Sequence, residues 1–176
     1  IGATQWSTPM IFMGQEIGEP WGLGFRKSDL LRSRFVGEPQ HHEEADELLG
    51  FYHDMITARL AHRNRALYAS SGAFLRARDD VLVDPGLFAQ VKWSRDGNVV
   101  FTFHNLWRQN VSRSYYIGSN LAAVLGIREQ YDYRLVDALT DKRVDQCQSG
   151  ADLKWAIRVD LRSDARLSWW RLERCD

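Results

Sequence analysis

Two polar side chains, Gln15 and Glu16, directly follow a short apolar run and a glycine. The run is Met10–Met13, and Gly14 ends it. Four consecutive apolar residues are typical of a strand buried on both faces, as in a parallel sheet covered by helices. In barrels built this way the loops at the carboxyl ends of the strands carry the chemistry, which would place Gln15 and Glu16 at a functional rim. A core strand that ends in a glycine turn is the simpler interpretation of this stretch taken alone.

The Gly- and Pro-rich loop that follows adds Glu19 and Trp21 to the candidates. Glu16 and Glu19 lie in one loop, so they cannot flank a sugar from two directions as a catalytic carboxylate pair must. The ring of Trp21 would stack on a sugar or pack against its own fold. We therefore predict no catalytic residue here.

Other residues with reactive or metal-binding side chains give weaker signals. His41–Glu44 places four potential ligands in succession, but successive helix residues point in different directions and do not converge on one ion. His53 and His62 are predicted to be structural. Ser70–Gly72 lacks the strand-to-helix context of a nucleophile elbow. The sequence therefore predicts neither a metal site nor a nucleophile.

At 176 residues the chain suits one large domain or one and a half small ones. It carries 23 basic and 23 acidic residues, which argues against a nucleic-acid-binding protein and a polybasic membrane contact. No stretch approaches the roughly 20 apolar residues of a membrane span, no signal-peptide pattern is present, and we expect a cytoplasmic protein. Cys147 and Cys175 match no zinc-binding spacing; they are free thiols or form one disulfide.

A helical pattern runs from Glu43 to about Arg63. Acidic residues fall in its first turn and arginines gather at its far end, which complements the helix dipole. Its apolar residues recur at steps of three and four and form one stripe: Ala45, Leu48, Leu49, Tyr52, Met55, Ile56 and Leu60. The spacing predicts an amphipathic helix.

Beyond Leu67 the period of the pattern changes from 3.6 to 2. Two alternating runs, Phe88–Trp93 and Val99–Phe103, flank Asp96-Gly97, which predicts a β-hairpin. Leu121–Ile127 is a short helix or a loop. Many short strands separated by turns indicate an antiparallel sandwich, and the further predicted strands are Ser114–Ile117, Tyr131–Asp137, Leu153–Val159 and Leu167–Leu172.

Aromatic residues are numerous, with seven Trp, six Tyr and eight Phe. Most are expected in the core of the sandwich, although flat rings also stack on sugars. Trp169 and Trp170 would point to opposite faces of one strand, one inward and one outward. The outward ring is predicted either to bind a sugar or to cover a neighbouring domain.

The order of these features resembles the C-terminal third of an α-amylase-family glycosidase. The last barrel strand of that family follows a proline and ends Gly-Xaa-Glu, as Pro9–Glu16 does, and Phe12–Glu16 is similar to the form common in branching enzymes. The last barrel helix begins with an aromatic-Tyr pair and ends with leucines around an arginine; Phe51-Tyr52 and Leu60–Leu67 are similar. The sandwich, domain C, carries a Tyr-Xaa-Leu-Xaa-Asp-Xaa-Leu-Thr-Gly phrase, which Tyr133–Asp141 resembles, with an aspartate replacing the final glycine.

The resemblance implies an α+β fragment with two parts. Residues 1–68 would be the final strand, loop and helix of a (β/α)8 barrel, and residues 72–176 an antiparallel β-sandwich. The family hydrolyses or transfers α-glucosyl units with two aspartates and one glutamate, which lie on earlier barrel strands. Retaining glycosidases need two of these carboxyls about 5–5.5 Å apart. The resemblance therefore implies a chain that lacks the catalytic carboxylates, needs no cofactor and has a structural role.

The resemblance also implies substrate contacts from Gln15, Glu16 and Trp21 at the rim of the barrel. The implied partners are α-glucan, bound through the complete enzyme, and the missing barrel domain. Without the barrel, Met10–Met13 and the helix stripe lose their neighbours, so a second copy should cover them or the segment should repack on the sandwich. The alternative hypothesis, from the aromatic content, is a non-catalytic carbohydrate-binding β-sandwich. A scaffold domain with no link to sugars is a third possibility.

Overall fold

The computed structural model describes residues 42–77, 87–106, 109–163 and 167–175, with side chains from residue 46 onward. The predicted strand Met10–Met13 lies outside these residues. The predicted helix is present as α1, His42–Leu60, and it ends before the expected Arg63. A 3-10 helix, His62–Tyr68, follows it. We call α1 and the 3-10 helix together the helical segment.

The helical segment turns at Ala61, whose backbone is extended with φ −60° and ψ 133°. Helix ends leave carbonyl groups without intrahelical partners, and two side chains supply partners here. Nδ2 of Asn64 donates to the carbonyl of Ala58 over 2.9 Å, and Nη1 of Arg59 donates to the carbonyl of Leu67 over 2.8 Å. These bonds stabilise the turn that brings the chain to the sandwich.

The described residues contain nine strands, all paired antiparallel, in two sheets. The smaller sheet consists of β2 (Arg76–Ala77), β5 (Val111–Tyr116) and β8 (Ile157–Leu161). The larger sheet has the order β1-β3-β4-β9-β6-β7, with the strands β1 (Ser71–Phe74), β3 (Leu87–Trp93), β4 (Val99–Asn105), β6 (Asp132–Asp137), β7 (Gln148–Ser149) and β9 (Leu167–Arg174). The arrangement is consistent with the predicted antiparallel β-sandwich, while the barrel part stays a prediction.

The predicted hairpin is confirmed as β3 and β4. Trp93 pairs with Val99 at its tip, and Gly97 has a φ of +82°, a conformation that glycine adopts without steric cost. The backbone N–H of Ser94 donates to the carbonyl of Asn98 over 2.9 Å and closes the turn. Three further predicted strands correspond to β5, β6 and β9.

Two short helices interrupt the strands. The ambiguous segment around Leu121 is α2, Gly118–Val124. The predicted strand Leu153–Val159 is wrong in its first half, which forms α3, Gly150–Trp155. The reason is local: Oγ of Ser149 accepts a hydrogen bond from the backbone N–H of Asp152 over 3.1 Å, and such a cap starts a helix.

Both faces of the larger sheet are covered. Val99 and Phe101 point into the main core between the two sheets. Val100, between them on β4, points the other way and packs with Leu67 and Ala58 of the helical segment. The layers are therefore, in order, the helical segment, the larger sheet and the smaller sheet.

Trp169 and Trp170 lie on opposite faces of β9, as their alternation predicts, but neither is exposed. Trp170 belongs to the main core, and Trp169 is fully buried in the cluster under the helical segment. Of the two predicted roles for the outward ring, sugar binding is therefore wrong for this pair, because Trp169 is buried against another element of the chain. The helical segment covers the second ring because it packs on the outer face of the larger sheet.

The two cysteines form a disulfide, Cys147–Cys175, with a Cα–Cα distance of 6.3 Å. Cys175 follows β9 directly, and its backbone N–H donates to the carbonyl of Asp132 over 2.8 Å. The bond thereby ties the end of the last described strand to the loop before β7. None of the helices in the described ranges is long and apolar enough to cross a membrane.

Candidate functional site

The predicted substrate-contacting residues Gln15, Glu16 and Trp21 lie outside the described residues and stay predictions. The described residues hold no group of three or more His, Cys, Asp or Glu that would bind a metal. His53 and His62 are both exposed. What the described part of the chain does build is a polar junction between the helical segment and the larger sheet, which we call the helix–sheet junction.

Asn64 is the centre of the helix–sheet junction and is fully buried. Its Nδ2 donates to two carbonyls, that of Ala58 in α1 over 2.9 Å and that of Ala138 after β6 over 3.0 Å. Its Oδ1 accepts from Nη1 of Arg171 in β9 over 2.8 Å. One amide group therefore joins α1, the 3-10 helix, β9 and the turn after β6, with its donors and its acceptor all used.

Arg171 brings a charge into the junction with only 6% of its surface exposed. Its guanidinium lies 2.7 Å from the carboxylate of Glu173 and 3.2 Å from that of Asp141. Burial by itself raises the pKa of Glu173, but hydrogen bonds and charge from Arg171 and from Arg134 lower that pKa overall. A buried charge requires such paired and hydrogen-bonded partners.

Asp141 has a backbone φ of 58°, the only non-glycine residue in the left-handed region among those described. This is the position at which the domain C phrase of the α-amylase family carries glycine, the residue that adopts positive φ at no steric cost. Aspartate is one of the few other residues that tolerate it. The side chain of Asp141 also provides a carboxylate that pairs with Arg171 and with Arg63 of the 3-10 helix.

Lys92 forms a second part of the junction. The side chain of Lys92 is fully buried on β3, and its Nζ donates to the carbonyl of Leu67 over 2.7 Å. The guanidinium of Arg59 donates to the same carbonyl. Burial, and then the nearby charge of Arg59, lower the pKa of Lys92 to about 8. The helical segment is thus held to β3 by a buried amine.

The opposite side of α1 carries apolar residues that nothing in the described residues covers well. Leu49, Ile56 and Leu60 are 46%, 42% and 69% exposed, and their spacing of seven and four places them in one row. We call this row the open stripe. The other edge of the predicted stripe, Leu48 and Met55 among others, is half-buried. The predicted amphipathic face is therefore split lengthwise into a covered and an open half.

These features hold one side of α1 and leave its other side exposed. The polar contacts of Asn64, Arg171 and Lys92 fix the orientation of α1 on the sandwich, since each contact is buried and directional. Large apolar groups left in water, as in the open stripe, mark interaction surfaces. The geometry suits a helix that is held on one side and offers its other side to a neighbour.

Neither a protein-family model nor a curated protein sequence matches this chain. Solved structures do share its fold. AmyP E221Q in complex with maltotriose superposes with a TM-score of 0.64 and 14% identity over 99% of this chain. AmyP in complex with maltose gives a TM-score of 0.59, 13% identity and 97% coverage. A maltogenic α-amylase, AmyB from Thermotoga neapolitana, gives a TM-score of 0.47 at 9% identity over 74% of this chain and 26% of AmyB.

This chain spans about a third of AmyP, 33% and 32% of that chain in the two complexes. At 14% identity or less with AmyP the likeness shows a shared fold. Because it extends over nearly the whole of this chain, it covers the helical segment as well as both sheets.

The residues of the helix–sheet junction were not identified from the sequence. Lys92 occupies a polar position in an alternating strand, which normally indicates the solvent face. Asn64 and Arg171 are 107 residues apart, so no local pattern links them. The one sequence feature that pointed to the junction was Asp141, which stands where the phrase that Tyr133–Asp141 resembles has glycine.

Proposed function

We propose that this chain is the C-terminal region of an α-amylase-family enzyme that hydrolyses or transfers α-glucosyl units. The observation that carries the proposal is the fold shared with AmyP, at a TM-score of 0.64 over 99% of this chain. In this proposal α1 is the last helix of the catalytic barrel, the sandwich is domain C, and the catalytic carboxylates belong to strands encoded upstream.

The proposed role of this region is structural and follows from the two sides of α1. The junction of Asn64, Arg171 and Lys92 holds the helix on the sandwich. The open stripe then packs against the rest of the barrel. Burying its leucine and isoleucine side chains stabilises the contact by about 25 cal/mol for each Å² of apolar surface removed from water. Gln15, Glu16 and Trp21 would reach the outer part of the substrate site from the loop that precedes the helix.

An activity assay tests the proposal. The purified 176-residue chain, incubated with starch or maltoheptaose, should release or transfer no glucosyl units. The coding sequence ahead of Ile1 should supply two aspartates and one glutamate at the ends of preceding strands. Turnover by the isolated chain, or an upstream sequence without these carboxylates, would overturn the assignment.

Complementation sharpens the test. The separately expressed upstream part of the barrel, which carries those carboxylates, should gain activity when this chain is added. Replacing the open stripe by lysine (Leu49→Lys, Ile56→Lys and Leu60→Lys) should abolish the gain. The matched control is Val124→Lys on α2, which is also an exposed apolar residue, 58% exposed, but lies away from the stripe. Equal loss in both variants would contradict docking through the stripe.

The cytoplasmic location stays a prediction, and the disulfide provides its test. Disulfides persist in oxidising compartments and are rare in cytosolic proteins, so the Cys147–Cys175 bond argues against the cytoplasm. Alkylation of freshly lysed cells followed by mass spectrometry counts the free thiols. Two alkylated cysteines would support a cytoplasmic protein, and none would place it in an oxidising compartment.

A further inference from the structure

A cleft lies where the helical segment meets the β3–β4 hairpin. It has a volume of about 280 Å³ and is bordered by the end of the 3-10 helix, the start of β1 and the turn of the hairpin. Two arginines, three serines and two aromatic residues line it, and no acidic residue is among the described residues that do so. Pockets for drug-sized ligands measure about 300–1,000 Å³, so this cleft suits a small molecule.

Arg95 gives the cleft a positive charge. The residue is exposed in the turn of the hairpin, and no other described residue forms a hydrogen bond or an ion pair with its guanidinium group. A guanidinium group carries its N–H donors in a fixed planar fork and stays charged at any physiological pH. The donors of Arg95 are therefore available to an anionic ligand.

Arg65, which lines the cleft from the 3-10 helix, is already held in place. Its Nε donates to the carbonyl of His62 over 3.3 Å, and its Nη1 lies 2.7 Å from the carboxylate of Asp96. Both bonds leave Nη2 for a ligand. The carboxylate of Asp96 is on a side chain that is 43% exposed, and ion pairs in water are weak. The pairing therefore orients Arg65 and does not prevent it from binding a stronger anion.

Hydroxyl groups and aromatic rings complete the lining. Ser70 and Ser71 are exposed beside the cleft, and their hydroxyl groups bond to no other described residue. Tyr68 is 52% exposed, so one face of its ring is available for stacking on a planar group. Trp93 packs against the main core and is half-buried, which makes it a fixed wall. The cleft thus combines two cations, free hydroxyl groups and an exposed ring.

We propose that this cleft binds a nucleoside monophosphate, with its phosphate on Arg95 and Arg65 and its base on the ring of Tyr68. A phosphate monoester carries a charge of about −1.5 to −2 at pH 7, and guanidinium groups bind its oxygens through two parallel N–H bonds. The serine hydroxyl groups donate further bonds to it. A neutral sugar would leave both charges unused, and inorganic phosphate would leave the ring unused.

The bound nucleotide would connect two parts of the fold. Arg65 and Tyr68 belong to the helical segment, whereas Arg95 belongs to the hairpin of the larger sheet. A ligand that binds only the folded arrangement stabilises it, so the nucleotide would add to the bonds that hold the helical segment on the larger sheet. This inference goes beyond the proposed function and does not rest on it.

Calorimetric titration of the 176-residue chain in a buffer without phosphate tests the site, with AMP as the probe. The wild-type chain should bind AMP. Ribose 5-phosphate and inorganic phosphate, which lack the base, should bind about fivefold more weakly, the effect of one stacking contact. Adenosine, which lacks the phosphate, should bind at least about tenfold more weakly because it makes no charge-assisted hydrogen bonds.

Two substitutions separate the phosphate contact from the base contact. Arg95→Ala should weaken the binding of AMP and of inorganic phosphate by about tenfold. Tyr68→Ala should weaken AMP by about fivefold and leave inorganic phosphate unchanged, and Tyr68→Phe, which keeps the ring, should bind both as the wild type does. The matched control is Arg158→Ala on β8 of the smaller sheet, which removes an exposed arginine, 75% exposed, away from the cleft. This control should bind as the wild type does.

Four outcomes would overturn the proposal: no binding of AMP by the wild-type chain, equal binding of ribose 5-phosphate and AMP, unchanged binding by Arg95→Ala, or an equal loss in Arg158→Ala. The substituted side chains are exposed, and an unchanged circular dichroism spectrum confirms that each variant is folded. None of these outcomes concerns glucosyl turnover or the upstream carboxylates. The failure of this site and the failure of the proposed function are therefore distinguishable.

Discussion

Nη1 of Arg171 donates to Oδ1 of Asn64 over 2.8 Å, although 107 residues separate the two along the chain. The bond joins β9, the last described strand, to the 3-10 helix that follows α1. It is buried, and both partners make further contacts to carbonyls or carboxylates. The orientation of the helix on the sandwich therefore depends on a polar contact and not on apolar packing alone.

Replacing Asn64 should be among the most damaging single changes. Asn64→Ala leaves the carbonyls of Ala58 and Ala138 and one N–H of Arg171 without their partner, and each buried unsatisfied group costs about 1–3 kcal/mol. We expect urea unfolding to show a loss of about 3 kcal/mol or more. Asn120→Ala, at an exposed asparagine of α2, is the control and should change the midpoint little. Equal midpoints for both variants would contradict the role of the junction.

Asp141 should respond differently to two substitutions because its backbone and its charge act in opposite directions. Asp141→Gly removes the cost of a left-handed backbone, which for aspartate is smaller than the about 1–2 kcal/mol of most residues, but it loses the pairing with Arg171. Asp141→Asn keeps a residue that tolerates this backbone and loses the charge alone. We expect Asp141→Gly to have the higher melting temperature of the two variants. The difference in melting temperature between Asp141→Asn and the wild type should become smaller in 1 M salt, which screens the lost charge interaction. The reverse order would show that the backbone is not strained.

Lys92 should give stability a specific pH dependence. Its pKa is lowered from 10.5 to about 8 in the folded protein, so between these values the unfolded chain binds more protons and the free energy of unfolding rises with pH. Lys92→Met removes the titrating group. We expect the free energy of unfolding of the wild type, relative to that of Lys92→Met, to rise by up to about 3 kcal/mol between pH 7 and pH 10.5. Urea unfolding of both proteins across this range measures the difference. A difference that is constant with pH would show that the amine is not held in a desolvated site.

The open stripe should cause the isolated chain to self-associate. Leu49, Ile56 and Leu60 are exposed in one row, and apolar rows of this kind drive association in water. Light scattering after size exclusion should show dimers or larger species for the wild-type chain, and monomers for the triple lysine variant. If the wild-type chain is monomeric at a concentration of about 100 μM, the open stripe is not a contact surface.

Removing the disulfide should lower stability without changing the fold. Cys147 and Cys175 are 28 residues apart, and closing a loop of that length stabilises by about 3–4 kcal/mol in the chain-entropy account. The double variant Cys147→Ser with Cys175→Ser should lose that amount in urea unfolding. Dithiothreitol should destabilise the wild type to the same level and leave the double variant unaffected. A wild type that is insensitive to the reductant would exclude a stabilising bond.

The local features of this fold were predictable from sequence and the non-local ones were not. The hairpin was predicted because Asp96-Gly97 encodes its turn within four residues, and α1 was predicted because its apolar period repeats over several turns. The end of α1 was not predicted correctly because Ala61 is extended between two contacts that bridge it, one from Asn64 back to Ala58 and one from Arg59 forward to Leu67. The start of α3 was not predicted because Leu153–Val159 has the pattern of a strand, whereas the side chain of Ser149 caps a helix there.

The site was harder to predict than the fold. The alternation of side chains along a strand shows which face of the sheet a residue lies on, but not which other element covers that face. Trp169 and Lys92 both lie on the outward face of the larger sheet, where the sequence predicts solvent. The helical segment covers that face, so a tryptophan and an amine that look exposed are buried. The predicted contacts from Gln15, Glu16 and Trp21 lie outside the described residues and stay predictions.

The coverage of β4 on both faces gives this domain an internal reporter. All seven residues of Val99–Asn105 are buried, with β3 on one side and β9 on the other. Amide protons in such a strand exchange with deuterium only when the whole unit opens. The uptake rate of that one peptide therefore measures the global opening of the sandwich, even inside a much larger enzyme, and a partner that docks on α1 would slow it.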